Sequence, residues 1–321
     1  MKHSGPIPVF FSIDDGFSPW LSVSLNSLVK NCSPRYDYEI YILHQGLRQE
    51  NIDKLASLSS PNVHINFVPI EEQYETIKSD FTGNKLRADY FTLTIFFRLF
   101  IPDMFPQYDK GIYLDSDICV PGDISRLFEI DLGDNLLGAC PDYSIQDAPP
   151  LVEYVTKAVG VDRGLEYINS GVLLMDLRKL REVHMGDRFL ELMGKYNFDS
   201  IAPDQDYINA MCKGKIYFLG PEWDAMPNPA RPELQNPQLI HYNLFEKPWI
   251  KDGVQYASYF WEYATDSGYL EEIKAFKAAY PQEQIEKDAA QLAVMCGRVP
   301  EILAGEFTFR KVFGSGLEKR L

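Results

Sequence analysis

A chain of 321 residues is long enough to bury a large core, and a hydrophobic content of 45%, with 21 glycines and 21 prolines spread along it, excludes a disordered or low-complexity polymer. Its 46 acidic residues against 31 basic ones give a formal net charge of −15. That charge repels phosphate backbones, which excludes general nucleic-acid binding and adhesion of the whole molecule to an anionic membrane, and a phosphate-bearing ligand then needs a metal or local bases to hold it.

Ile7 to Ile13 reads as a buried strand, and Ser18 with Pro19 as the N-cap and first-turn proline of a helix reaching about Asn31. Glu39 to Leu43 predicts a second strand, Gln49 to Leu58 a helix and Val63 to Val68 a third strand, the alternation of a parallel doubly wound sheet. An irregular stretch from Phe81 leads into a predicted helix in which Leu93, Phe96, Phe97 and Phe100 recur at near-helical spacing. Lys110 to Leu114 is the next strand, followed by Leu136 to Cys140 and Tyr167 to Leu174. Leu177 to Tyr196 and Asp204 to Met211 read as helices, with Asp204 at a helix start, where a carboxylate suits the dipole and can cap backbone N–H groups. Pro221, Pro227, Pro229, Pro232 and Pro237 mark an irregular, ordered surface loop, and Gln238 to His241 resumes as a short strand. Beyond Tyr256 the pattern is mostly helical, with Gly314 to Leu321 a loose end, so residues 1–267 are read as the main domain and 268–321 as a small helical extension.

Asp115 and Asp117 stand two positions apart where the strand Lys110 to Leu114 ends. In an extended chain residues i and i+2 project from one face, so both acids can meet one hard cation while Ser116 points away. Such a pair suits Mg2+ or Mn2+ held against phosphate oxygens; the alternative is a solvated loop with two acids. Asp14, Asp15, Asp142, Asn169, Asp204, Gln205, Asp206 and His241 also interrupt the apolar pattern at strand ends. Each alone is equally a turn residue, a helix cap or a core histidine. Their recurrence at ends that converge in a doubly wound sheet points to ligand binding.

The runs Phe11 to Asp15, Phe97 to Leu99, Tyr113 to Asp117, Leu132 to Asn135, Asn169 to Leu174, Asp204 to Asp206 and His241 to Trp249 resemble, in order and spacing, glycosyltransferase family 8. These are retaining nucleotide-sugar transferases that include bacterial lipooligosaccharide galactosyl- and glucosyltransferases and, more distantly, glycogenin. The resemblance runs from about Val9 to Trp249 and implies an α/β fold of the GT-A type, a Rossmann-like mixed sheet flanked by helices. It implies transfer of a hexose, with retention, from UDP-galactose or UDP-glucose to a glycan or glycolipid acceptor. Asp115, Asp117 and His241 would ligate Mn2+, with Mg2+ as the alternative, and Lys247 would neutralise the leaving diphosphate. Ser12, Asp14, Phe17 and Ser116 would contact the nucleotide, Asp14 accepting from the uracil imide and Phe17 stacking on the base. Arg98, Asp142, Asn169, Asp204 and Gln205 would surround the hexose, with Asp204 or Asp206 orienting Arg98. Gln205 and Asp204 are the catalytic candidates: Gln205 is a poor nucleophile, which favours a same-face displacement, and Asp204 is the alternative nucleophile or charge stabiliser.

Two positions depart from the family pattern: Gly16 stands where relatives often have Asn, and Leu244 where a Gly usually lets the backbone approach the phosphate. Arg87 to Phe91 and Asn243 to Pro248 match loops that fold over the donor. The rival readings are a nucleotide-sugar or glycan-binding protein of the same fold without turnover, and a metal phosphoesterase, for which the sequence offers no second ligand cluster. Cys32, Cys119, Cys140, Cys212 and Cys296 are widely spaced and never form a Cys-x-x-Cys pair, the usage of reduced, mostly core thiols in a cytoplasmic protein. The stretch Val9 to Ile13 is too short for a signal-peptide core. A tail with Phe307, Phe309, Arg310, Lys311, Phe313, Lys319 and Arg320 is read as a packed helix with a solvated basic end; its composition also allows weak peripheral contact with anionic lipid at the inner face of the membrane.

Overall fold

The computed structural model describes residues 5–70 and 93–321. Among these the strands are Ile7–Ile13 (β1), Tyr38–His44 (β2), Val63–Pro69 (β3), Lys110–Leu114 (β4), Ile118–Cys119 (β5), Leu137–Ala139 (β6), Val172–Asp176 (β7), Ile216–Phe218 (β8) and Ile240–His241 (β9). The chain forms two compact units: Met1–Glu71, Gly111–Asp131 and Gly220–Ala289 make the first, and Glu72–Lys110, Leu132–Leu219 and Ala290–Leu321 the second.

In the first unit the strands lie in the order β3, β2, β1, β4, all parallel. β1 is apolar on both faces and almost wholly buried, as a strand covered on both sides must be. Its register sets Val9 beside Ile112 and Phe10 beside Tyr113, so Asp14 and Asp115 both follow the carboxyl ends of parallel neighbours. The helix Ser18–Asn31 buries Leu21, Leu25 and Leu28, and its Ser24 Oγ lies 2.6 Å from the Ser116 carbonyl oxygen and 2.7 Å from that of Ile118. That hydroxyl braces the turn carrying the acid pair. β5 and β9 form a separate antiparallel ribbon with Ile118 opposite His241, and Tyr242 N–H donates to the Asp117 carbonyl at 2.9 Å.

In the second unit β6 runs antiparallel to β7 and parallel to β8, which makes the sheet mixed. The helix Pro203–Met211 buries Asp204 through Met211, and Phe198, Tyr207 and Phe309 pack ring against ring, with Phe198 and Phe309 stacked at 4.0 Å.

Several sequence expectations need correction. Leu93–Leu99 is a 3-10 helix rather than an α-helix, because a spacing of three satisfies a three-residue turn as well as 3.6. The segment Leu177 to Tyr196 is two helices, Leu177–Glu182 and Met185–Tyr196, broken where His184 takes a left-handed φ of 54°. Ser18 does not cap its helix: its Oγ donates to the Asp15 carbonyl at 2.9 Å, and the chain enters through a 3-10 turn at Asp15–Phe17. The strand expected from Tyr167 begins only at Val172, since Asn209 holds the Ile168 N–H and C=O at 2.8 and 2.9 Å.

The end of the chain is not loose. Glu318 accepts from Arg188 Nη2 at 2.7 Å, Lys195 Nζ at 2.6 Å and Tyr196 OH at 2.7 Å, and Leu321 N–H donates to the Met211 carbonyl at 2.9 Å. Phe309 and Phe313 are buried in the second unit, while Phe307 is exposed. All five cysteines are free, with Cys119, Cys140 and Cys212 buried. No helix of the described residues is long and apolar enough to cross a membrane.

Candidate active site

In the first unit β4 ends at Leu114 and the turn that follows projects Asp115 and Asp117 beside His241, which the β5–β9 ribbon carries in from more than a hundred residues away. One ligand atom from each of the three lies within 4.8 Å of the others. His241 Nε2 is 3.3 Å from Asp117 Oδ1 and 3.9 Å from Asp115 Oδ2. Its other ring nitrogen, Nδ1, is 3.1 Å from Asp224 Oδ1, and Asp224 is fully buried. A carboxylate behind an imidazole fixes the ring so that its second nitrogen faces a metal. Tyr113 OH donates to Asp115 Oδ1 at 2.8 Å and steadies the first acid. Two carboxylates and an oriented imidazole form a donor set that fits a divalent cation with further positions left for phosphate oxygens.

The charges around this cluster are strongly coupled. Burial opposes ionisation of Asp117, but Lys247 and His241 outweigh it and hold its carboxyl well below the usual carboxylate range. Burial likewise favours a neutral His241, yet Asp117 and Asp224 outweigh it and push the ring up to about 10. Lys247 Nζ lies 2.5 Å from Asp117 Oδ2 and 5.2 Å from the centre of the Trp249 ring, which itself stacks on Trp20 at 5.0 Å. Asp115, Asp117, His241 and Lys247, all expected from the sequence, are therefore one cluster.

Of the residues expected at the nucleotide, Ser12 lies in β1, Asp14 and Phe17 follow it, and Ser116 follows β4. Asp15 is spent on structure: it accepts from the Arg48 N–H at 2.8 Å, Arg48 Nε at 2.7 Å and Asn51 Nδ2 at 2.8 Å. Asp14 is half-buried and, among the described residues, is not tied in this way. A Cβ at Gly16 would come 3.3 Å from Asp14 Oδ1, so the missing side chain leaves that carboxylate open. Phe17 is 43% exposed, Ser12 is half-buried at the end of β1, and Ser116 is buried. Arg87 to Phe91 lie outside the described residues.

The second unit holds the remaining candidates in one hydrogen-bonded set. Arg98, only 3% exposed, has Nε 3.3 Å from Asp204 Oδ2 and donates from Nη1 to the Ser170 carbonyl at 2.6 Å and Ser170 Oγ at 3.1 Å. Ser170 Oγ donates in turn to Asp204 Oδ2 at 2.9 Å. Gln205 is clamped at both ends of its amide: Oε1 accepts from the Ser170 N–H at 2.9 Å and Nε2 donates to Asp142 Oδ2 at 2.9 Å. Asn169 Nδ2 reaches the same Asp142 oxygen at 3.3 Å. This buried set of fixed donors and acceptors is the chemistry that sorts polyhydroxyl ligands.

Asp206, rather than Asp204, secures the helix start: its Oδ2 accepts from the Ala202 N–H at 3.2 Å, while Asp204 turns toward Arg98. Asp206 also accepts from Tyr154 OH at 2.5 Å, Tyr167 OH at 2.7 Å and Ser200 Oγ. Burial pushes this carboxyl up to about 6. Because its folded value exceeds that of an unfolded Asp, its contribution to stability is complete below about pH 4 and is lost as pH rises through about 6. Chemical denaturation across pH 4–7 is expected to show this loss, on the order of 3 kcal/mol, in the native chain and not in Asp206→Asn, which is less stable at every pH.

Leu244 takes a left-handed φ of 51° and is partly exposed between His241 and Lys247. A left-handed Leu costs about 1–2 kcal/mol, partly offset by the larger chain entropy a Gly would lose. Leu244→Gly is therefore expected to raise the unfolding free energy by about 0.5–1 kcal/mol, read from its denaturant midpoint.

Sequence reasoning missed Asp224, Tyr113, Ser170, Tyr154, Tyr167 and Asn209. Asp224 sits in a proline-rich stretch read as surface loop; its flanking Trp223, Ala225 and Met226 were the one apolar hint that this part is buried.

Residues 8–253 match the sequence profile of glycosyl transferase family 8. A Haemophilus influenzae relative is 32% identical over 222 residues, 68% of this chain and 63% of that protein. The lipopolysaccharide 1,2-glucosyltransferase of Escherichia coli is 26% identical over 258 residues, 76% of this chain and 72% of that protein. The structure of galactosyltransferase LgtC in complex with donor and acceptor sugar analogs is similar with a TM-score of 0.66 and 26% identity, covering 81% of this chain and 95% of that one. The bifunctional glycosyltransferase WbbM shares the fold with a TM-score of 0.72 and 22% identity, covering 87% of this chain and 53% of that one. The chain thus spans less than two thirds of the Haemophilus relative and about half of WbbM. With the profile running through the acid pair, the Asp204 helix and the His241 ribbon, the chain belongs to glycosyl transferase family 8 and has its GT-A fold.

Proposed function

We propose that the protein transfers galactose or glucose from a UDP-sugar to a hydroxyl of a glycan or glycolipid, with retention at the anomeric carbon and dependence on Mn2+. The observation that carries this reading is the Asp115, Asp117 and His241 cluster with Asp224 behind the imidazole and Lys247 alongside. A bound Mn2+, or Mg2+ in its stead, would supply positive charge to the diphosphate as it leaves; an imidazole among the donors favours Mn2+. Lys247 adds an ammonium for the same developing charge. Asp14 offers an acceptor for the uracil imide and Phe17 a face for the base, with Ser12 and Ser116 as further polar contacts of the nucleotide.

For the hexose the reading rests on the family pattern, which assigns Arg98, Asp142, Asn169, Asp204 and Gln205 to it: fixed polar groups of this kind pair sugar hydroxyls, and an epimer that leaves one of them unpaired is rejected. Gln205, neutral and held at both ends of its amide, is suited to orienting the sugar rather than attacking it. This favours a same-face reaction in which the leaving phosphate accepts the acceptor hydroxyl's proton; the alternative assigns Asp204 the nucleophile's part, although that carboxylate is already engaged by Arg98 and Ser170. All these residues fall in the proposed catalytic domain of residues 1–267. The free thiols favour a reducing, cytoplasmic setting.

The deciding experiment screens UDP-hexoses for Mn2+-dependent UDP release and for sugar transfer to glycan acceptors. Turnover of one UDP-hexose that stops with EDTA and returns with Mn2+ supports the reading. Binding of UDP-sugar without UDP release would instead make the chain a non-catalytic binder, and full turnover in EDTA would sink the metal.

A further inference from the structure

Lys247 is held by three partners at once. Its ammonium lies 2.5 Å from Asp117 Oδ2, donates to the Tyr242 carbonyl at 2.6 Å and sits over the Trp249 ring at 5.2 Å. Two of these are themselves held by the surrounding fold: Tyr242 is bonded to Asp117 through the backbone, and Trp249 packs against Trp20 and Phe260. The third is a carboxylate of the cation cluster, whose other oxygen faces His241. The ammonium therefore stands where it competes with a metal for the charge of Asp117, and its anchors keep it from swinging far away.

We propose that Lys247 stands in for the metal on Asp117 in the ligand-free protein and so makes divalent cation and nucleoside diphosphate bind as a pair. This rests on the donor site proposed above. A free cation must approach Asp117 against a fixed ammonium and share the carboxylate with it, which weakens binding through like-charge repulsion and through loss of a charge-assisted hydrogen bond. A diphosphate changes the balance because it offers the ammonium another anion within reach of the same anchors, and Asp117 is released to the cation. By linkage, whatever factor the diphosphate adds to cation affinity the cation adds to diphosphate affinity. The same exchange in reverse helps release diphosphate and cation together: as the diphosphate departs, Lys247 returns to Asp117 and the cation loses a ligand. Diphosphate neutralisation by itself would need a lysine near the phosphates; it would not need that lysine on a metal-ligand carboxylate.

The test is calorimetric titration of Mn2+, without nucleotide and with saturating UDP, into the native chain, Lys247→Met and Lys251→Met. Lys251 lies four residues on and pairs with Glu246 at 2.5 Å, so its loss removes a nearby charge without freeing a cluster carboxylate. Lys247→Met is expected to bind Mn2+ alone about tenfold or more tightly than the native chain, to bind Mn2+ with UDP more weakly, and to differ in both from Lys251→Met. Lys247→Gln, which retains a donor for the Tyr242 carbonyl, is the second variant should the first fail to fold by circular dichroism. Mn2+ affinity in the Lys247 variants no higher than native, or raised equally in Lys251→Met, overturns the exchange while leaving the donor site intact. A native chain that binds no Mn2+ even with UDP overturns the donor site itself and the exchange with it.

Discussion

Asp117→Asn is expected to reduce the proposed Mn2+-dependent UDP-sugar turnover by about a thousandfold or more while the chain stays folded. The substitution removes one of the two carboxylates of the cluster and also presents an amide N–H₂ or a neutral oxygen to His241 Nε2 at 3.3 Å and to Lys247 at 2.5 Å. Neither replaces a carboxylate for a hard cation. Folding survives because what the backbone does here does not depend on the side chain: the Asp117 carbonyl still accepts from Tyr242 N–H, and Ser24 still braces the turn. Steady-state UDP release reads the loss, and far-UV circular dichroism with a thermal melt reads the fold. A variant with near-native turnover would remove the metal role assigned to this carboxylate.

Arg98→Met is expected to destabilise the protein by about 3–5 kcal/mol and to abolish turnover. Arg98 and Asp204 are both buried, so removing the guanidinium strands a carboxylate away from water, and the Ile95 and Ser170 carbonyls lose their donors as well. Breaking one side of a buried pair costs far more than the pair itself contributes. Adding Asp204→Leu to Arg98→Met should therefore recover part of the stability and none of the activity. Denaturant unfolding of both single variants and the double variant measures the coupling; strictly additive losses would mean that the two charges do not sense each other.

The parallel strands were legible because apolar runs such as Ile7 to Ile13 and Lys110 to Leu114 carry their own signal, bounded by turn residues. The Asp115 and Asp117 pair was legible for a similar reason, since an i, i+2 relation on extended chain is a local fact. The family pattern brought in His241 and Lys247 by order and spacing.

Other features had no local signal. The turns of Leu93–Leu99, the break at His184 and the docking of Glu318 under Arg188 and Lys195 depend on what each segment packs against. Asp204 and Asp206 are two positions apart in one helix with similar local sequence, yet one pairs with Arg98 and the other disappears among Tyr154, Tyr167 and Ser200. Periodicity and spacing report only which side of its own strand or helix a residue occupies. Which partner awaits it is decided by register between distant segments, as when the β5–β9 ribbon sets Ile118 opposite His241. Residue types and order thus pointed to a donor set suited to a cation and to the family. Only the folded chain could put Asp224 behind the imidazole and Lys247 on Asp117, because buried charges choose their partners from whatever the packing brings within hydrogen-bond reach.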